Sequence, residues 1–346
     1  MERKIKSYTF PGTTQQEPRD YETEHWGLAR RAAADGMVLL KNEDGLLPFA
    51  QGARLALYGA GAVATVKGGT GSGDVNSRKT VNIYEGLKEA GFTIVNEDWL
   101  AAYGTCYEKA REQWREEIWQ DEDRRKAKGE PEPMFFAYTS HPFAIPAGEL
   151  PAPVACDAAV YVIARVAGEG KDRTYCKGDY LLSDAEQEAL RTLCAQQERV
   201  LVVINSGGLI DLSFLDELPQ IKGLIYMGQP GMQAGHALAD ILSGAVTPSA
   251  KLADSWPYRY EDYPNADTFS HRSGDTEKEY YGEGIYVGYR YFDTFEVPVR
   301  YSFGFGLSYT SFSLRMVHLS FVNPNSKWAA VRIVVEVTNT GTVSGR

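Results

Sequence analysis

One repeated unit limits most severely how this chain can fold: a short, almost continuous apolar run, then a glycine-rich turn, then an amphipathic helix. The runs are residues 54–58, 92–95, 158–166, 200–204 and 223–227, with helical stretches at 83–90, 183–197 and 231–242 between them. A run that is apolar without alternation is buried on both faces, and strands of that kind belong to a parallel sheet covered by helices on either side. The expected fold is therefore α/β and doubly wound. The helix at 183 carries its own start signal, Ser183 followed three residues later by Glu186, the capping-box pattern. In such sheets ligands collect at the carboxyl ends of the strands, so the loops that follow the runs are the places to look for chemistry.

Several segments depart from the repeat. Residues 1 to about 20 read as an extended arm. A helix is expected from residue 25, with Trp26, Leu28, Ala29, Ala32 and Ala33 on one face, breaking at Asp35-Gly36 before a short apolar run over 37–40. Residues 105–135 read as a highly charged helix running into a Pro-rich loop. Interleaved charge of both signs makes it a solvated surface insertion, with Phe135, Phe136 and Tyr138 expected to pack it back onto the body. After about residue 255 the chain turns aromatic and irregular. It then ends strand-like, with Ile333, Val335 and Val337 alternating with Arg332, Glu336 and Thr338, and a turn at Asn339-Thr340-Gly341. A single strand cannot bury its own face, so a β-domain is expected to begin here.

Composition removes other classes. At 346 residues the chain has room for about two domains, and 43% hydrophobic with 24% charged residues is ordinary for a globular protein. A net charge of −10 without a basic cluster argues against nucleic acid as a partner. No apolar run approaches the ~20 residues that cross a bilayer, and the opening MERKIKSYTFPGTTQQEPRDYE has no apolar signal core. Cys106, Cys156, Cys176 and Cys194 show no C-x-x-C spacing and the five histidines are scattered, so neither a metal nor any other cofactor is expected. Unpaired thiols and the lack of a signal point to the cytoplasm.

Three loops carry candidate sites. Gly59-x-Gly61-x-x-Ala64 follows a strand like a dinucleotide fingerprint, but that fingerprint wants an acidic residue about 20 positions on. Here Glu97, after the next strand, lies 36 residues past Gly61, so a tight turn is the reading. The second is Lys67-Gly-Gly-Thr-Gly-Ser-Gly-Asp74. A phosphate loop places its Lys after the glycines. Here Lys comes first, and the loop reads either as a structural turn or as one that admits a bulky neutral ligand to the backbone, with Ser72 and Asp74 bonding sugar hydroxyls. The third is Gly168-Glu169-Gly170-Lys-Asp172-Arg173, at the end of a buried run. Asp172 and Arg173 are close enough to pair locally, which leaves Glu169 as either a catalytic acid or a surface carboxylate. Two residues keep structural readings: Glu283, between glycines in a junction expected to be packed with aromatics, and His236, in the first turn of a helix.

Taken in order, residues 29–48, 67–75, 166–173, 204–212, 228–257, 281–293 and 301–312 resemble the non-barrel half of glycoside hydrolase family 3, the family of many β-glucosidases. The stretches are ARRAAADGMVLLKNEDGLLP, KGGTGSGDV, VAGEGKDR, INSGGLIDL, the segment from GQPGMQAGHALADILSG to DSWP, YGEGIYVGYRYFD and YSFGFGLSYTSF. The resemblance implies a mainly parallel six-stranded α/β sandwich over 25–310, after an arm over 1–24. An incomplete fibronectin III-like β-sandwich would then begin at 311–346. It also implies hydrolysis of β-glycosides with retention, in which one carboxylate attacks the anomeric carbon and a second carboxyl protonates the leaving oxygen. The second role falls on Glu169.

The nucleophilic Asp and most sugar contacts of the family belong to a (β/α)8 barrel, which nothing in these residues resembles. The arrangement is similar to the family's permuted members, so a barrel-bearing polypeptide, or a part beyond Arg346, is the expected partner, with a β-glucoside or oligosaccharide as substrate. The rival expectation is a non-catalytic carbohydrate-binding or scaffolding protein that keeps only the sandwich.

Overall fold

The computed structural model describes residues 15, 17–70, 73, 75–141, 143–146, 148, 150, 152–168, 172–271, 274–275, 277–278 and 280–346. Ten strands are described: β1 (Val38–Asn42), β2 (Arg54–Tyr58), β3 (Thr93–Ile94), β4 (Ala158–Arg165), β5 (Val200–Ser206), β6 (Ile221–Tyr226), β7 (Trp256–Pro257), β8 (Val299–Tyr301), β9 (Phe312–Val322) and β10 (Ala330–Asn339). The helices are α1 (Asp20–Gly36), α2 (Ala60–Val63), α3 (Ile83–Glu89), α4 (Glu97–Ala127), α5 (Pro133–Ser140), α6 (Asp184–Gln196), α7 (Phe214–Glu217), α8 (Ala234–Ser243) and α9 (Tyr289–Thr294).

Six strands form one sheet in the order β1-β6-β5-β4-β2-β3. All neighbours are parallel except β1, which lies antiparallel to β6. The sheet is thus mainly parallel with one antiparallel edge, as the apolar runs require. Every residue of β4 and β5 is buried. Alternate side chains serve two cores. Leu55, Leu57, Val160, Val162, Leu201 and Val203 meet α1, α3 and α8 on one face. Ala56, Tyr58, Tyr161, Ile163, Val202 and Ile204 meet α6, α7 and Trp256 on the other. At about 1.5–3 kcal/mol for each large apolar side chain buried, these two layers dominate the stability of the body.

Two helix starts show how local chemistry sets boundaries. At α6 the Ser183 hydroxyl accepts from the Glu186 N–H at 3.2 Å, and the Glu186 carboxylate accepts from the Ser183 N–H at 2.9 Å, the capping box read from the sequence. Helix α1 starts at Asp20, five residues earlier than its apolar face suggests. The Glu22 carboxylate accepts the Arg19 N–H at 2.7 Å, and Asp20 and Glu22 place negative charge in the first turn.

The charged insertion differs from its expectation in two respects. It is a 31-residue helix, α4, and the Pro-rich loop after it is short, residues 128–132, before a second helix, α5, that was not expected. Pro133 suits the first position of α5, where its missing N–H has no partner to lose. Tyr138 packs edge-on against Trp114 of α4 at 5.8 Å, but Phe135 and Phe136 are exposed and do not fix the insertion to the body.

At the other end the terminal strand is not alone. β10 pairs antiparallel with β9 over its whole length, and nearly all of that hairpin is exposed on both faces. The junction around Glu283 is also not packed: Tyr280, Ile285 and Val287 are exposed and Tyr281 is 93% accessible.

Candidate functional site at the carboxyl edge of the sheet

The loops leaving β2, β4, β5 and β6 meet at one edge of the sheet, and Asn205, the penultimate residue of β5, holds two of them. Its side chain is fully buried. The Asn205 Oδ1 accepts the Val66 N–H at 2.7 Å, and its Nδ2 donates to the carbonyls of Val66 at 2.9 Å and Gly228 at 2.7 Å. An amide with both a donor and an acceptor is the side chain that can satisfy a backbone N–H and two carbonyls from different loops at once.

The second and third candidate loops are brought into contact. A single parallel β-bridge pairs Thr70 with Gly168. A Cβ on Gly69 would lie 2.2 Å from the Ala167 carbonyl oxygen, and one on Gly168 would lie 2.1 Å from the Thr70 Oγ1. Gly69 and Gly168 therefore serve loop-to-loop approach, in keeping with the structural one of the two readings left open for the Lys67 loop. The Lys67 ammonium donates to the Val75 carbonyl, tying together the two ends of its loop. Gln229 Nε2 donates to the Ala167 carbonyl at 3.2 Å, and Gly231 N–H to the Lys67 carbonyl at 2.7 Å.

Ser72, Asp74 and Glu169 lie outside the described residues; their neighbours Gly73, Gly168 and Asp172 are within them. The local pairing of Asp172 with Arg173 is replaced by a different one. The Arg173 guanidinium meets the Asp179 carboxylate and donates to the Val166 carbonyl at 2.5 Å. Burial lowers the proton affinity of Arg173 below that of a free guanidinium, with Asp179 opposing the shift. Arg165, which closes β4, donates through two nitrogens to Glu186 at 2.7 and 2.6 Å and through Nε to the Asp179 carbonyl at 2.8 Å. Buried ion pairs persist only when so completely hydrogen-bonded.

Tyrosines fasten the next segment. Tyr175 stacks on Tyr260 with centroids 4.4 Å apart, and its hydroxyl donates to Glu261 at 3.0 Å. Tyr180 meets Tyr260 edge-on at 5.2 Å.

The first candidate loop is the tight turn it resembled. Gly59 has φ +88°, and a Cβ there would lie 2.4 Å from the Val162 carbonyl oxygen, so the turn sits directly on β4. His236 is structural as expected: its ring nitrogens lie 2.7 Å from Gln233 Oε1 and 2.6 Å from Glu89 Oε2.

Helix α4 adds a wall that the sequence did not place. The Asn96 side chain exchanges two hydrogen bonds with the backbone of Leu57. Trp99 then meets Tyr58 at 5.0 Å, and Tyr103 and Tyr107 pack with Ala60 and Ala164. Moving along α4 thus follows the strands toward their carboxyl ends, and β4 ends at Arg165. The helix is about 46 Å long at 1.5 Å per residue, so its second half rises beyond the edge that carries the candidate loops.

A cavity of about 390 Å³ lies at the opposite edge, where β5 and β6 begin, and is lined by Glu43, Asp44, Glu198, Arg199, Gln220 and Lys222 among others. Lys222 is paired there with Asp44 at 3.0 Å. A void of about 20 Å³ lies between α4 and α6, room for about one water. Among the described residues no group of three or more His, Cys, Asp or Glu side chains could hold a metal ion, and no helix is long and apolar enough to cross a membrane.

The model of the glycosyl hydrolase family 3 C-terminal domain matches residues 37–289, from the residue before β1 to the first residue of α9. The chain belongs to this family. Beta-glucosidase A of Butyrivibrio fibrisolvens is 34% identical over 322 residues, an alignment covering 84% of this chain and 36% of that protein. The beta-glucosidase of Ruminococcus albus is 34% identical over 329 residues, covering 93% and 32%. Among solved structures, beta-glucosidase 3B from Thermotoga neapolitana in complex with glucose superposes with a TM-score of 0.72 at 34% identity, over 94% of this chain and 43% of that one. The family 3 chain described here therefore spans about a third of the length of these curated relatives, and its fold is that of the matching part of the Thermotoga neapolitana structure.

Proposed function

We propose that this chain is the sandwich half of a retaining β-glucosidase, with Glu169 as general acid/base and Ser72 and Asp74 as partners for sugar hydroxyls. The observation that carries the reading is the family match over 37–289 combined with the joining of the Lys67 and Gly168 loops at the carboxyl edge of the sheet. The nucleophilic carboxylate belongs to a barrel outside these residues. The exposed aromatic strip formed by Tyr280, Tyr281, Ile285 and Val287 supports a partner surface of this kind, because soluble proteins seldom leave such patches uncovered. Four free thiols support a reducing compartment, the cytoplasm.

Two carboxyl groups ~5–5.5 Å apart define the retaining geometry. With the nucleophile ionised, its charge raises the pKa of Glu169 and keeps it protonated, able to donate to the departing oxygen. Once the nucleophile is esterified that charge is gone, Glu169 loses its proton more readily, and it can take one from the incoming water. No cofactor enters this scheme.

The test is Glu169→Gln in the complete glycosidase. Expected is a loss of roughly 10²–10⁴-fold in kcat/KM for alkyl glucosides and cellobiose, with activated aryl glucosides spared, since only poor leaving groups need the proton. Equal activity of variant and parent on both substrates would sink the assignment. If the wild-type assembly binds β-glucosides and turns none over, the non-catalytic reading replaces it.

A further inference from the structure

We propose that Arg173 is a positioning residue for Glu169, acting by locking together the two ends of the loop that carries it. The inference rests on the acid/base reading above. A general acid must reach its leaving oxygen within a few tenths of an ångström, and a misplacement of about 1 Å can cost 100-fold. Glu169 stands between two glycines, neither of which has a side chain to anchor the loop. Rigidity must therefore be imposed from outside the 169–171 interval.

Both ends of that interval are tied to one frame. The outgoing strand of the loop offers the Val166 carbonyl, which accepts from Arg173 on the returning strand at 2.5 Å. The same guanidinium meets the Asp179 carboxylate, whose other oxygen accepts the Thr174 N–H at 2.7 Å. The Asp179 carbonyl is held in turn by Arg165 at 2.8 Å, and Arg165 is locked to Glu186 at the start of α6. On the far side Gly168 is bridged to Thr70, and the Ala167 carbonyl is held by Gln229. Arg165 and Arg173 both join the outgoing strand directly to the returning one, and Arg173 does so nearer in sequence to the 169–171 interval. A planar fork can span a carbonyl and a carboxylate in fixed directions, whereas an ammonium of equal charge cannot.

The decisive experiment measures kcat/KM, which reports the glycosylation step, in the complete glycosidase carrying Arg173→Lys, Glu169→Gln or both. Arg173→Lys is expected to lower kcat/KM for alkyl glucosides roughly 10–100-fold while activated aryl glucosides lose less than about threefold. In the Glu169→Gln background the same change is expected to add nothing, because its effect passes through Glu169. Asp179→Asn removes the carboxylate at the other end of the bridge, keeps the carbonyl that holds Arg165, and should give the same signature if Arg173→Lys does not fold. Equal losses on both substrate classes, or losses that multiply in the double variant, overturn the positioning role. A Glu169→Gln variant that shows no leaving-group dependence removes the acid/base reading and the positioning role with it.

Discussion

Replacing Asn205 by Ala isolates the buried amide that ties the carboxyl-edge loops together. The change deletes three hydrogen bonds, at 2.7, 2.9 and 2.7 Å. It leaves the Val66 N–H, the Val66 carbonyl and the Gly228 carbonyl without their partners. A buried backbone group left unsatisfied costs about 1–3 kcal/mol. Val66 and Gly228 are only partly buried, so water can reach part of what is exposed, and the lower half of that range applies to the two carbonyls. About 2 kcal/mol for the N–H and about 1 for each carbonyl gives roughly 4 kcal/mol. For a chain of this size that corresponds to a fall of roughly 5–6 °C in Tm. The assay is thermal unfolding followed by circular dichroism, with hydrogen exchange of the 64–70 and 227–231 segments read on the same samples. Exchange in both segments should rise together, since one side chain serves both. A loss below about 1 kcal/mol with exchange unchanged would refute the reasoning, because the loops would then be held by something other than Asn205.

Two further outcomes follow from the geometry. Gly69→Ala would place a methyl 2.2 Å from the Ala167 carbonyl oxygen and 3.1 Å from the Gly168 Cα, backbone atoms that cannot swing aside. It is expected to cost about 1–3 kcal/mol and to lower kcat/KM by more than the change in Tm implies, and unchanged values of both would contradict the loop contact described here. Asp216 accepts two hydrogen bonds from Arg300 at 2.8 and 2.6 Å, and Arg300 holds its carboxyl below the ordinary 3.8. Its folded-state pKa is depressed, so the contribution is present in full above the ordinary pKa and is lost as pH falls through the lower, folded-state one. The carboxylate is 62% exposed, so the effect is discounted to well under about 1 kcal/mol. The Tm gap between wild type and Arg300→Gln should shrink as pH is lowered from about 5 to about 2, and a gap independent of pH would argue against the pair.

The sheet could be read from the sequence because its strands are buried on both faces, and burial writes itself as uninterrupted apolar runs such as 158–165. The capping box at Ser183 was equally legible, since both of its bonds are local. What the sequence hid are partnerships over long distances. Nothing in a linear reading joins Asn205 to Val66, although Asn205 lies inside one of the stretches that carry the family resemblance. The pairing of Arg173 with Asp179 in place of Asp172 has the same cause: the nearer carboxylate is adjacent in sequence, while the loop folds back to present the farther one. Exposure was misjudged where aromatic residues are dense, at Phe135, Phe136 and 280–287, because aromatic composition signals a contact surface without saying whether the contact lies within this chain.

Helix α4 has one consequence for how the family 3 scaffold can change. Its contacts with the sheet's core clusters end at Tyr107, and beyond that point it is held by α5 and the residues after it, with Ile118 and Ala137 buried and Trp114 meeting Tyr138 and Phe143. Adding or removing one helical turn beyond Tyr107 would move the tip by about 5.4 Å and carry Trp114 and Ile118 with it. The wall beside the candidate loops is thus a braced one, whose height can change only if α5 changes with it.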